Sequence, residues 1–242
     1  GNSSTFLPGS TLTSPAGNHV IFNAGTVYLQ TTNVATPSLW ISGGTLYQQT
    51  NNVVPTINQD AGTWRLSVNT AVANYNLTNG ELRGGTLTVT NLNWQNGNLM
   101  ADANGDKTII PVGGTLNLSG TATRYCSYYS PATRGRDLDN FGTINWTGDC
   151  TWYGRNGSSV NNHGTASILN AGTAYYAYYS GDVIAPVWNN FGTFTKNPGT
   201  GLFYFNTSYV NNDGLMDIQT GRLSINNSIL TNSATVNLTT AA

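Results

Sequence analysis

Ten acidic and nine basic residues are spread over 242 positions, so catalytic chemistry has few places to sit. Cleaving a glycosidic bond takes two carboxylates across the bond, and an elimination takes a base with a metal or acid partner. The close acidic sets are Asp102 with Asp106 and Asp137 with Asp139. Asp137 and Asp139 point the same way on an extended chain, and Arg134 and Arg136 lie beside them, which would suit a lyase-like cluster. The stretch 122–140 reads as a loop, however, where such pairs are usually solvated. Asp102, Asn104 and Asp106 in DANGD offer alternating oxygens to calcium, but the Gly and distal Glu of an EF-hand loop are missing, and Asn-Gly makes a polar turn the better account. His19 precedes a strand. His163 fills a turn position that holds Phe141, Phe191 and Asp213 elsewhere, so neither histidine reads as a catalytic base. No catalytic residue, cofactor or metal ligand is assigned.

Three other residue types carry chemistry. Cys126 and Cys150 are separated by one repeat of the pattern described next, and strands stacked about 4.8 Å apart would bring two such cysteines within disulfide reach. The expectation is a Cys126–Cys150 disulfide, with two buried thiols as the alternative. Tyrosines recur: the step from Tyr128 to Tyr153 equals the step from Tyr153 to Tyr178. Equal steps in a stacked repeat imply one column of rings, and Tyr129, Tyr153, Tyr176 and Tyr178 are the candidates for an outward strip contacting a glycan or another subunit; the alternative is core packing. Asn-x-Ser/Thr sequons at Asn76, Asn117, Asn145, Asn156, Asn206 and Asn226 are candidate glycosylation sites.

These groups are positioned by a repeat. An Asn pair or Asn-aromatic, a Gly and then alternating apolar and polar residues appear at 190–193 and again at 212–215. Tracing the Gly gives Gly25, Gly44, Gly62, Gly85, Gly114, Gly142, Gly164, Gly192 and Gly214, a series whose steps are similar but unequal. A phrase that returns at such a period marks stacked supersecondary units. The scatter excludes helical repeats, because strands joined by turns absorb length variation and helix pairs do not. TLTVT, TLNL and RLSI after the glycines alternate at period two, and no window of a dozen residues keeps a 3.6 period. Residues 1–18, with Phe6, Leu7 and Leu12 among Ser and Thr, read as an extended lead-in and candidate coupling strand; residues 19–242 read as one domain with a loop excursion near 122–140.

Charged residues are 8% of the chain, the formal net charge is -1 and aromatics are 11%. That composition is foldable but draws the chain neither to phosphate backbones nor to anionic lipid, and no apolar run is long enough to span a bilayer. The phrases NNFGTFTKNPGTG, NNDGLMDIQTGRLSI, GGTLTVTNLNW and GGTLNLSGTAT resemble the Asn/Gly/Thr-rich repeats of large bacterial surface proteins of the adhesin and autotransporter-passenger kind, over about 79–227. The resemblance implies a right-handed parallel β-helix in an extracellular, repetitive and mostly non-enzymatic part. The expected fold is therefore all-β, a right-handed parallel β-helix of roughly ten coils. The expected function is structural: a secreted subunit, its leader already removed, of a cell-surface or biofilm-matrix fibre built as a head-to-tail homopolymer. Behind it stand a glycan-binding adhesin module and, third, a polysaccharide lyase or hydrolase.

Overall fold

The computed structural model describes residues 2–51, 54–128 and 133–239, and among them there is no helix. Thirty short strands pair in parallel, each with strands about one circuit of the chain away. Eleven of them, from Ser3–Phe6 to Arg222–Asn226, stack in chain order as a first face. Among the described residues the chain thus visits this face eleven times, and ten steps of about 4.8 Å give a stack about 48 Å long.

Between visits it runs along two more faces. Later circuits use two short strands for these, such as Asp137–Asn140 and Thr143–Trp146. Earlier circuits use one long strand: Thr86–Trp94 pairs through Thr86 to Thr88 with Lys107–Ile110 and through Asn91 to Trp94 with Thr115–Leu118. That double pairing joins the second and third faces into one connected set of seventeen strands that forks at Thr86–Trp94.

Within the stretch expected as a lead-in, Ser3–Phe6 pairs with Thr26–Leu29 and Thr11–Thr13 with Asn33–Ala35, so it carries strands that join the stack. Leu12 is buried at 7% exposure, Phe6 packs against the core, and Leu7 is 58% exposed. The strand Thr11–Thr13, between Pro8 and Pro15, is too short for its alternation to show in sequence. The excursion at 122–140 also shrinks, because Arg124–Tyr128 and Asp137–Asn140 are paired strands.

Circuit length varies along the first face. The step between paired residues shortens from Thr26–Thr45 to Glu81–Asn98, then widens at Tyr125–Tyr153 and is widest at Tyr176–Phe205. Core composition follows circuit length. The narrow circuits hold mostly aliphatic residues, Leu46, Ile57, Leu77, Leu82 and Leu92, with Trp64 and Tyr75 among them, and the wide ones are denser in rings: Trp146, Trp152, Tyr176, Trp188, Phe194, Phe203 and Phe205. Trp152 meets Trp94 edge-on at 5.4 Å and Tyr176 at 5.7 Å, the arrangement that ring quadrupoles favour. A wider cross-section needs larger side chains to reach crystalline packing density.

The repeated phrase resolves into four columns. Its first Asn, or Asp139 in the earliest copy, lies outside: Asn161, Asn189 and Asn211 each donate an amide to the residue one circuit back at 2.7 to 2.8 Å. Its second Asn lies inside, fully buried, and Asn140, Asn162 and Asn190 donate to Asn162, Asn190 and Asn212. Each of these inner amides also satisfies a turn carbonyl, as Asn190 does for Leu215 at 3.0 Å. The third position stacks Phe141 on His163 on Phe191 with centroids 4.8 and 4.7 Å apart. The fourth is glycine, whose carbonyl accepts the N–H of the residue after the next glycine: Thr165 on Gly142, Thr193 on Gly164, Leu215 on Gly192, all at 2.9 Å.

Candidate functional site

The carboxylates singled out in the sequence face protein donors. Asp139 takes a hydrogen bond from Lys107 Nζ at 2.8 Å and another from Asn161, and Asp137 accepts from Ser159 N and Oγ at 2.7 and 2.9 Å. Asp106 accepts the N–H groups of Asp102 and Ala103, both at 2.8 Å, and so closes the DANGD turn, while Asn104 Oδ1 accepts the Arg134 N–H. Among the described residues no group of three or more His, Cys, Asp or Glu is arranged to hold a metal. Asp102 instead bridges Arg65 at 2.7 Å and Arg83 at 3.0 Å. With Tyr28 and Tyr47, stacked at 4.9 Å, Arg65 and Asp102 line a shallow groove of about 360 Å³ on the first face.

Arg134 makes the expected solvent-exposed pair with Asp137, at 3.7 Å, but the other two arginines of the stretch 122–140 do not. Arg136 is fully buried and donates to Thr108 Oγ1, Gly84 O, Met100 O and Lys107 O. Arg124 is also buried and donates to Trp94 O and Gln95 O at 2.9 and 2.7 Å, and to Ala122 O and Ser119 O. The guanidinium fork, with five donors in a plane, suits a corner where several turn carbonyls converge. Nothing in the local sequence distinguishes such an arginine from a surface one.

The tyrosine column is corrected by the register. Tyr153 lies beside Tyr125, one circuit back, with centroids 5.4 Å apart and planes 19° from parallel; the residue beside Tyr178 is Gly154. Equal steps in sequence therefore do not make a column, because circuit length varies. Tyr176 points inward and is fully buried, its hydroxyl donating to Val187 O at 3.0 Å, so it belongs to the core. Tyr178 is half-buried, donating to Asp182 O. Tyr129 lies outside the described residues. What forms at the surface is a cluster: Tyr179 stands edge-on to Tyr125 and Tyr153 at 5.8 and 5.4 Å, and the Arg155 guanidinium lies 4.2 Å from its ring centre. Arg155 is held in turn by the buried carboxylate of Asp182 at 2.9 Å. A second stack, Tyr175 on Tyr204 at 4.8 Å, lies on the same face.

The expected disulfide is absent: Cys126 and Cys150 are both free and buried. Cys126 pairs with Gly154, four residues beyond Cys150, which at about 3.3 Å per residue puts the cysteines roughly 13 Å apart. Burial pushes the Cys126 thiol up to about 12 from an ordinary 9.0. A raised acid stabilises the fold fully below the unfolded value, and that stability is lost as pH rises toward the folded value. The unfolding free energy from urea titrations is expected to fall as pH rises from the ordinary thiol value toward the raised one, by about 1.4 kcal/mol per pH unit for this group. Tyr75 and Tyr176, also raised by burial, act in the same direction; Arg136, lowered by burial to about 10, acts against them. The Cys126→Ala variant should show a shallower decline, and equal slopes would refute the assignment.

The sequon asparagines other than Asn206, which accepts through Oδ1, are structural donors. Asn76, Asn93, Asn117 and Asn145 each donate Nδ2 to the asparagine one circuit back, starting at Asn58, at 2.7 to 3.1 Å. Asn156 is buried and donates to Thr133 O, and Asn226 donates to Asn206 Oδ1 at 3.1 Å. A glycan would occupy the nitrogen that builds these contacts at Asn76, Asn117, Asn145, Asn156 and Asn226.

Fold and surface together define a repetitive, parallel all-β protein whose asparagine, glycine and aromatic columns bind circuit to circuit. Compared with protein-family models, curated proteins and solved structures, the chain finds no match.

Proposed function

We propose that the chain is a right-handed parallel β-helix serving as an extracellular structural rod, a subunit that stacks head to tail in a cell-surface or matrix fibre. Right-handed winding follows from the strong preference of parallel crossover connections. The observation that carries the function is the circuit made of Arg222–Asn226, Ile229–Asn232 and Thr235–Leu238. Its residues continue the core columns in register: Leu223 follows Phe203, Ile225 follows Phe205, Leu230 follows Val210, Val236 follows Met216 and Leu238 follows Ile218. Yet Leu230 and Val236 are exposed, and Leu238 is 73% exposed. Apolar columns exposed beside strand edges are a template for a further circuit, whether of the same chain or of a second copy. The stretch before Asp60 carries no charged residue, so a second copy stacking there would meet no like charge. Contacts of this heterologous kind propagate into filaments when the rotation does not close.

Electron microscopy and sedimentation of the purified chain test this. Filaments or concentration-dependent growth are expected, blocked by Val236→Lys with Leu238→Lys. Monodisperse monomers at high concentration would overturn the reading.

A second reading, a glycan-binding module, is favoured by the Tyr125, Tyr153 and Tyr179 cluster with its fixed guanidinium. Rings and a planar donor held rigid before binding suit sugar faces and hydroxyls. Binding on a glycan array that is lost in Tyr153→Ser and Tyr179→Ser, with the far-UV spectrum unchanged, would support it; an array without binders would remove it.

A further inference from the structure

Lys196 stands where the column on the third face otherwise carries apolar residues, between Ile168 and Ile218. It is fully buried, and among the described residues no ion pair includes it. Its Nζ donates to the Asn170 side-chain oxygen at 3.1 Å and to Gly199 O at 2.9 Å. Asn170 is equally buried, and its Nδ2 is fixed by Gly172 O at 2.9 Å and Leu202 O at 3.1 Å. The amide is thereby locked with its carbonyl toward the amine. Asp149 reaches the same corner, its carboxylate accepting the Gly172 N–H at 2.7 Å.

We propose that Lys196 and Asn170 form an intramolecular isopeptide bond, with Asp149 as the proton carrier. Desolvation lowers the Lys196 pKa, which favours the neutral, nucleophilic amine. The amine Nζ adds to Asn170 Cγ. The Cγ–Nδ2 bond then breaks, and a proton leaving Nζ is delivered through the Asp149 carboxyl to Nδ2, which departs as ammonia. One secondary amide and one ammonia replace one amine and one primary amide, so no oxidant or reductant is needed. The product removes a cation from the core and ties one circuit covalently to the next. Fixed contact between the reacting groups supplies the orientation that such a reaction lacks in solution.

Intact-mass spectrometry of the full chain, followed by peptide mapping, tests the bond. The expected mass is one ammonia below that of the sequence, with a branched peptide joining positions 170 and 196. Lys196→Met, which keeps the column apolar, should restore the full mass. Asn170→Asp should lose one water instead, and Asp149→Asn should leave a fraction uncrosslinked. Ammonia loss also arises from cyclisation at Asn-Gly, as at Asn104–Gly105. Loss mapped there, loss persisting in Lys196→Met, or a wild-type chain of full mass after prolonged incubation would each overturn the proposal. None of these outcomes depends on what covers the ends of the stack.

Discussion

Gly192→Ala is expected to destabilise the protein by the upper end of the ~1–3 kcal/mol range for overpacking, or beyond it. A Cβ on Gly192 would overlap the Gly164 carbonyl oxygen and come within 2.6 Å of His163 O. Both obstacles are backbone, so no side chain can rotate away. The Gly164 carbonyl is also the acceptor for Thr193 N–H at 2.9 Å, and moving it opens the ladder between two circuits. The same overlap recurs at Gly142, Gly164 and Gly214 against the glycine one circuit back, so each of these should respond alike. Gly113→Asn is the control: nothing lies within 4 Å, and asparagine tolerates the left-handed conformation at φ +76. Thermal unfolding should place Gly192→Ala several degrees below wild type and Gly113→Asn close to it. Equal midpoints for the two variants would show that the stack accommodates a methyl group and that the close approach is not what the repeat requires.

Arg136→Met is expected to lose about 3–5 kcal/mol, the scale of removing one partner from a buried polar cluster. The guanidinium holds Gly84 O at 2.9 Å, Lys107 O at 2.6 Å and Met100 O at 3.2 Å, carbonyls of successive circuits, and the Thr108 hydroxyl at 2.9 Å; Met100 O keeps the Gly84 N–H at 3.2 Å, but methionine supplies no donor to the others. Each buried carbonyl left without a donor costs about 1–3 kcal/mol. Removing a desolvated cation offsets part of this, since burial lowers the Arg136 pKa to about 10. Two carbonyls and a hydroxyl outweigh one relieved charge. Arg136→Lys should recover only part of the loss, because an ammonium lacks the planar fork. Denaturant midpoints decide the matter: methionine equal to wild type would mean that the corner relaxes or admits water.

The strands were legible because alternation at period two and a returning Asn-Asn-x-Gly-Thr phrase are local signals. Those five positions proved to be an outer amide column, an inner amide column, a stacked ring, a close backbone contact and the start of a strand. The phrase itself does not say which asparagine faces inward. Nor did it separate two sets of glycines: Gly25, Gly44 and Gly62 precede strands of the first face, whereas Gly142, Gly164, Gly192 and Gly214 precede strands of the third.

The candidate site was legible as residue types and not as partners. Tyr153 and the Tyr175 to Tyr179 group were visible as aromatic density; the placing of Tyr179 by Arg155 and Asp182 was not, since Arg155 and Asp182 lie a full circuit apart in sequence. The disulfide expectation failed for a related reason: it took the mean period as the local one, and the circuit that begins at Cys126 does not return beside it until Gly154.

By itself, then, the sequence determined that this chain is built from stacked parallel strands, because hydrogen bonding and side-chain alternation act over a few residues and leave a periodic trace. Which residues share a column was decided only by the tertiary structure. Column neighbours depend on the summed length of every turn in a circuit, and one residue more or fewer carries a side chain from the core to the solvent. The buried Arg124, Arg136 and Lys196 belong to the same class: their partners are mostly carbonyls brought together by the folding of separate turns, and a carbonyl leaves no mark on the sequence.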